Sequence, residues 1–78
     1  MSGPRLKWTD RSGKSLAYFY GIQLTVDPVV RGFGWEVAAF EREGVKGSRE
    51  EAKVAAEKGL LDYVNDLAAR AARELGEE

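Results

Sequence analysis

The chain contains no cysteine and no histidine, and only two of its 78 residues are proline. These absences exclude a disulfide scaffold, a zinc site of Cys/His type, a thiol nucleophile and a histidine general base. No apolar run approaches the ~20 residues that cross a bilayer, and the N-terminus lacks the apolar core of a secretory signal. Neither sign of charge dominates, because twelve basic and thirteen acidic side chains leave a formal net charge of −1. We therefore expect a cytoplasmic protein with no metal, no cofactor and no membrane contact.

The composition is typical of a small globular domain. Hydrophobic residues make up 44% of the chain and charged residues 32%, and a domain of this length buries only about 60% of its unfolded surface. Residues 1–47 carry seven basic and five acidic side chains, whereas residues 48–78 carry five basic and eight acidic ones. This polarity falls short of the basic surface of most nucleic-acid-binding proteins. We expect a flexible N-terminal tail at 1–4 and a single β-β-β-α domain at 5–78.

Alternation of polar and apolar side chains predicts three strands in the first half, at residues 5–9, 16–26 and 33–43. Gly21, inside the second strand, indicates a bend, a bulge or a close approach of another chain segment. The Asp27-Pro28 dipeptide opens a predicted loop over residues 27–32. The predicted sheet is a three-stranded antiparallel meander.

The segment between the first two strands contains Gly13-Lys14-Ser15, which resembles the end of a phosphate-binding loop. The full motif needs a glycine where this chain has Trp8, and it needs a following helix rather than a strand. We therefore interpret the segment as a hairpin turn.

The second half predicts one long helix over residues 48–75, and the overall class is therefore α+β. Ser48 and Glu51 form a capping box at its start, and Gly76 is suited to end it. Oppositely charged pairs four residues apart, such as Lys53 and Glu57, favour a solvated helix face. A helix of this length measures roughly 42 Å at 1.5 Å per residue, whereas a compact chain of this size is about 30 Å across. The helix must therefore bend or protrude.

The apolar stripe of the predicted helix changes direction near Gly59. Ala52, Ala55, Ala56 and Tyr63 cluster on one side, and Leu60, Val64, Leu67, Ala71 and Leu75 cluster roughly 80–100° away. Glycine is one of the residues at which helices kink. We expect the helix to pack on one face of the sheet and to bend near Gly59, with Ala68, Ala71 and Leu75 available for self-association, including a homodimer.

The two predicted sheet faces differ in their side chains. The even positions of residues 16–26 are all apolar or aromatic, so we expect them to face the helix. The other face is predicted to be open and to bind a partner through Lys7, Phe19, Gln23, Phe40 and Arg42, which mix aromatic, basic and amide groups. Paired carboxylates at Glu41/Glu43 and Asp62/Asp66 lack a third ligand. We therefore expect no catalytic residues and no metal ligands, and the protein is predicted not to be an enzyme.

The chain resembles small phage and prophage proteins that have a β-meander followed by a Ser-x-x-Glu-Ala-Lys helix. The resemblance spans residues 6–58 and is carried by Trp8, Ala17-Tyr18-Phe19-Tyr20-Gly21-Ile22, Gly34-Trp35-Glu36-Val37 and Ser48-Arg49-Glu50-Glu51-Ala52-Lys53. Phage proteins of this size include inhibitors of bacterial defence, such as anti-CRISPR proteins, which occlude surfaces on larger assemblies. A more limited resemblance, in Trp35-Glu36-Val37 and the helix start, is to the β-β-β-α DNA-binding domains of plant AP2 factors and of phage integrase N-termini.

These observations favour a non-enzymatic binding protein of phage or prophage type, a group whose members mostly have unknown function. We expect it to inhibit a host defence complex by protein–protein occlusion. One alternative is a nucleic-acid-binding domain that uses the same sheet face. Another is a self-associating structural module.

Overall fold

A computed structural model describes residues 3–38 and 42–76. Five antiparallel strands form one sheet in the order of the chain, and one helix follows them: β1 (Thr9–Arg11), β2 (Lys14–Phe19), β3 (Ile22–Val29), β4 (Gly32–Val37), β5 (Arg42–Lys46) and α1 (Arg49–Glu74). The predicted α+β class, the antiparallel sheet and the C-terminal helix are confirmed. The predicted number of three strands is wrong, because the described sheet contains five.

The predicted strand over residues 16–26 is a hairpin with a two-residue turn. Phe19 pairs with Ile22, and Tyr20 and Gly21 between them have positive φ angles of 49° and 86°. Two consecutive positive φ values define the type I′ turn that matches the twist of a hairpin. Tyrosine is an uncommon residue for such a turn, and the continuing alternation concealed the reversal.

The turn also changes which side chains share a face. Because an even number of residues separates the paired positions, odd residues of β2 lie beside even residues of β3. Ala17 and Leu24 are therefore both buried under the helix, and Tyr18 points to the other face with 60% of its surface exposed. The expectation that Leu16 and Tyr18 face the helix is wrong.

The predicted loop at residues 27–32 is largely strand. Asp27 and Pro28 continue β3 and pair with Gly34 and Phe33 of β4. The pairing of β3 with β2 ends at Val26. No residue of β2 therefore needs a hydrogen bond from the backbone N–H that Pro28 lacks. The chain reverses at residues 30–31 instead.

The predicted strand over residues 33–43 is divided between β4 and β5. Trp35 of β4 lies between two glycines: a Cβ atom at Gly44 of β5 would be 2.8 Å from its Nε1, and one at Gly59 of α1 would be 3.1 Å from its ring. Gly59 therefore gives the indole access to the helix backbone. The helix continues through Gly59 as one element to Glu74, and the predicted bend there stays a prediction.

The predicted helix boundaries are confirmed. The Ser48 hydroxyl accepts a hydrogen bond from the Glu51 N–H at 3.2 Å, and Glu50 and Glu51 place negative charge in the first turn. At the other end the Leu75 N–H donates to the Ala71 carbonyl, and Gly76 follows with a φ of 72°. These contacts satisfy backbone groups that a helix end otherwise leaves unpaired.

The core lies between one face of the sheet and the first half of α1. Its buried apolar residues are Ala17, Leu24, Val26, Val37, Ala52, Ala56 and Leu60. The helix contacts β3, β4 and β5, and the segment before β1 packs Leu6 and Trp8 against the same core. The opposite sheet face is not covered by any described part of this chain, so the molecule presents a bare sheet on one side.

Candidate functional site: an apolar groove and a helix stripe

Residues 3–8 precede β1 and are attached to α1 by the carboxylate of Glu57. The backbone N–H groups of Arg5 and Leu6 each donate to it at 2.8 Å, and so does the indole N–H of Trp8. Hydrogen bonds to an ionised acceptor are stronger than those between neutral groups. The carboxylate therefore fixes the N-terminal segment, as defined by residues 3–8, against the helix.

An apolar groove of about 650 Å³ lies between the N-terminal segment and the helix. Leu6 and Phe19 line one side of it, and Leu60, Leu61 and Val64 line the other. The groove is open to solvent and wide enough to receive apolar side chains of another molecule.

The helix carries an apolar stripe from the groove to its C-terminal end. We define this helix stripe as Leu60, Leu61, Val64, Leu67, Ala68, Ala71 and Leu75. Leu60 is only 6% exposed, whereas Leu61 is 57%, Leu67 is 47% and Leu75 is 82% exposed. The stripe therefore leaves the core at Leu60 and continues unpaired on the described chain. The helix is about 39 Å long at 1.5 Å per residue, and the longest dimension of the molecule is 47 Å. The sequence left open whether the helix bends or protrudes, and the second half of the helix extends beyond the sheet.

The structure does not bring the predicted binding residues onto one surface. Gln23 lies on the open sheet face and Lys7 is exposed before β1. Phe19 packs against the core on the helix side. It does so because the hairpin turn places the odd-numbered residues of β2 on the same face as the even-numbered residues of β3. Arg42 pairs with the buried Val37 and so also lies on the helix side. Placing Phe19 and Arg42 on the open face was wrong.

Phe40, the remaining predicted binding residue, lies outside the described residues, as do Met1 and Ser2 of the predicted tail. The predicted self-association residues all fall on the helix stripe beyond the sheet. Ala68 and Leu75 are exposed, and Ala71 is partly exposed. Their position is compatible with contact to a partner, and the contact itself stays a prediction.

The open sheet face carries mixed charge. Glu36 and Glu43 stand directly opposite each other on β4 and β5, and like charges in this position destabilise a strand pair. Toward β2, Lys14 forms an ion pair with Asp27 at 3.9 Å. The face therefore has no uniform charge to attract a polyanion.

A polar cluster joins the first hairpin to the start of the helix. The buried Ser15 hydroxyl donates to the Asp10 carboxylate and accepts from Arg49 at 3.0 Å. Lys53, whose side chain is only 10% exposed, lies 3.6 Å from the same carboxylate. The Ser15 hydrogen bond, supported by the positive charges of Lys53 and Arg49, holds the pKa of Asp10 below its usual value.

The polar side chains of this cluster bind one another and the backbone, so each has a structural role. The same Arg49 nitrogen also donates to the Gly13 carbonyl at 3.0 Å, so the cluster attaches the helix to the first turn. The predicted pairing of Lys53 with Glu57 is not what these side chains do, since Glu57 holds the N-terminal segment. In the part of the chain that the structure describes, no three candidate ligands are grouped to hold a metal ion, and no helix has the length and apolarity to cross a membrane.

Sequence reasoning found part of this site. The spacing of Leu60, Val64 and Leu67 predicted a stripe, but Leu61 was missed because it belongs to neither helical cluster. The groove was missed as well, since the partner of Glu57 is some 50 residues away and no local pattern encodes that contact. Comparisons with protein-family models, with curated proteins and with solved structures found no match to this chain.

Proposed function

We propose that this chain is a non-enzymatic protein-binding module that takes an amphipathic helix of its partner along the helix stripe and into the apolar groove. The observation that carries the proposal is the stripe itself, which continues, exposed, for about four helical turns beyond the sheet. Grooves that receive amphipathic helices commonly combine such a stripe with a pocket for an anchoring side chain.

The exposed half of the helix supports this proposal energetically. An isolated helix of about 15 residues is marginal in water, and apolar side chains on it gain roughly 25 cal/mol for each Å² removed from solvent. Leu61, Leu67 and Leu75 are each about half exposed or more. A partner helix would cover these side chains and stabilise the turns that carry them.

The resemblance to small phage proteins adds a mode of action to the proposal. A module of this size inhibits a larger assembly by covering a surface that the assembly needs. The absence of histidine and cysteine and the structural use of Ser15 and Asp10 both favour binding over catalysis.

Binding of nucleic acid by the open sheet face is the second candidate. Arg11 and Lys14 are exposed near the β1 edge of the sheet and could contact phosphates. Glu36 and Glu43 lie exposed on the opposite half of the same face, and their charge would repel a nucleic-acid backbone. The helix stripe is therefore the better supported interface.

Site-specific photo-crosslinking tests the proposed interface. Benzoylphenylalanine is placed at Leu67 on the stripe or, as the matched control, at Tyr18 on the open face, which are 47% and 60% exposed. After irradiation in nuclease-treated bacterial lysate, we expect a stoichiometric crosslink from position 67 to a helical segment of a protein, and none from position 18. Crosslinks from position 18 alone, or capture that disappears with nuclease, would overturn the proposal.

A further inference from the structure

We propose that the N-terminal segment opens as one unit while the rest of the fold stays intact, and that its opening extends the apolar groove into the space that Leu6 and Trp8 now fill. In one respect this inference rests on the proposed function, because the exposed space would receive the anchoring side chain of the partner. Three observations carry it: how the segment is attached, where the attachment changes and what the segment covers.

One side chain holds the backbone of the N-terminal segment. In the described part of the chain the sheet begins with β1, and no strand pairs with residues 3–8. The Arg5 and Leu6 N–H groups donate instead to the Glu57 carboxylate, which also accepts from the Trp8 indole. Because all three hydrogen bonds end on one carboxylate, they are lost together when the segment moves away from it.

The attachment changes in kind at β1. Asp10 of β1 accepts a hydrogen bond from the buried Ser15 hydroxyl, and the Lys53 ammonium lies 3.6 Å from the same carboxylate. The strand is also paired with β2 along its three residues. An opening that starts at the N-terminus should therefore end between Trp8 and Thr9, where the strand pairing and the polar cluster begin.

The N-terminal segment covers apolar surface that is continuous with the groove. Leu6 and Trp8 are partly buried, whereas the residues on either side of each are exposed, so one edge of the extended segment faces the core. Both side chains pack against the core cluster that includes Ala56 and Leu60. Leu6 and Leu60 also line the groove, so moving the segment away would join the groove to the space beside Ala56.

This mode of attachment favours local opening. Segments with few buried apolar contacts and exposed backbone hydrogen bonds open at a lower free energy than the fold as a whole. Besides Glu57, the helix contacts the segment through the Lys53 ammonium, which lies 5.7 Å from the centre of the Trp8 ring. Strand β3, in contrast, is paired on both sides and carries the fully buried Leu24 and Val26. We therefore expect the segment to open many times for each unfolding of the whole domain.

Opening also changes what the groove can bind. In the closed form Leu6 fills apolar space that the anchoring side chain of a partner helix would otherwise occupy. Binding in this space is then coupled to opening, and the apparent affinity falls with the fraction of molecules in which the segment is open. The N-terminal segment thus acts as an internal competitor for the partner.

Native-state hydrogen exchange of the wild-type chain tests the opening. We expect the Arg5 and Leu6 amides and the Trp8 indole N–H to have similar protection factors, roughly tenfold or more below those of the β3 amides. Low concentrations of urea should change these three values little, because the opening exposes little surface. Protection equal to that of β3, or three unrelated protection factors, would overturn the proposal.

Thiol labelling tests what the opening exposes, and the absence of native cysteine removes any background. Ala56→Cys and Ala52→Cys place the same small change at two fully buried positions of α1. Of the two, only Ala56 belongs to the core cluster that Leu6 and Trp8 contact, so we expect Ala56→Cys to react with a maleimide at least about tenfold faster. Equal rates would overturn the extension of the groove. Far-UV circular dichroism checks that both variants are folded, and the exchange measurement decides the opening without them.

Both measurements use the chain alone, so they are independent of the proposed function. If position 67 crosslinks to no protein, the proposed function is removed and the opening is still decided by exchange. If the three N–H groups exchange only with the whole domain, the opening is removed and a crosslink from position 67 would leave the proposed function standing.

Discussion

Replacing Glu57 removes the acceptor that holds the N-terminal segment on the helix. In Glu57→Ala the N–H groups of Arg5, Leu6 and Trp8 all lose their partner. In Glu57→Gln the amide oxygen can take the place of Oε2, which already lies within 3.0 Å of all three donors. The amide NH₂ then takes the place of Oε1 and faces the Arg5 N–H, so this variant loses about one interaction.

The magnitude follows from this difference. A hydrogen bond to a charged group contributes about 1.5 kcal/mol or more to the free energy of unfolding, and one between neutral groups about 1 kcal/mol. Glu57→Gln keeps three hydrogen bonds without the charge, so we expect a loss of about 1.5 kcal/mol for it and about 4.5 kcal/mol for Glu57→Ala. A domain of this length has a total stability of roughly 4–12 kcal/mol. Each kcal/mol lowers the melting temperature by about 4–8 °C at this size.

Urea denaturation followed by circular dichroism measures the two losses, and hydrogen exchange of the Arg5 and Leu6 amides locates them. Both amides should exchange faster in Glu57→Ala than in the wild type. Glu74→Ala is the control, because it removes the same charge from the exposed end of the helix. Equal stability of the wild type, Glu57→Gln and Glu57→Ala, with unchanged exchange at both amides, would refute the reasoning.

Three further substitutions test local features of the sheet. Gly32→Ala should destabilise the protein by about 2–4 kcal/mol in urea unfolding, because φ is 144° and the new Cβ would lie 2.3 Å from the Lys46 carbonyl oxygen, a combination of backbone strain and overlap. Gly13→Ala, with φ of 81° and no atom within 4 Å, should cost only about 1–2 kcal/mol, and equal losses would contradict this explanation. Asp10→Asn should lower stability at neutral pH, since the Ser15 hydrogen bond depresses the pKa of Asp10 below its ordinary value of 3.8. The stabilisation is present above that value and is lost as pH falls through the folded-state pKa, so the urea midpoints of wild type and variant should converge in acid, and a difference that does not change with pH would contradict it.

The helix and its ends were predictable because their signals are local. Ser48, Glu51 and Gly76 each act within one turn of the helix boundary, and the structure places them where the pattern does. The strand count was not predictable in the same way. A positive φ at Tyr20 is not marked by an Asn-Gly or Asp-Gly pair, and the apolar alternation runs through the turn without a break.

In the candidate site, too, the locally encoded part was predictable and the part that depends on long-range contacts was not. The stripe through Leu60, Val64 and Leu67 follows from helical spacing, and it was predicted from the sequence. The groove requires the N-terminal segment to lie beside the helix, and that contact joins residues at opposite ends of the chain. The face assignment of Phe19 failed for a related reason, since it depended on a turn that the alternation concealed.

The two-residue turn between β2 and β3 determines which side chains of β3 face the core, and this restricts how the length of the turn can vary among related sequences. One residue inserted between Phe19 and Ile22 would move Leu24 and Val26 from the core to solvent, unless a bulge absorbed the extra residue. Two inserted residues would lengthen the hairpin loop and leave both side chains in place. Natural variants that differ at this turn should therefore gain or lose residues in pairs, and odd-numbered changes should carry a glycine-containing bulge beside the turn.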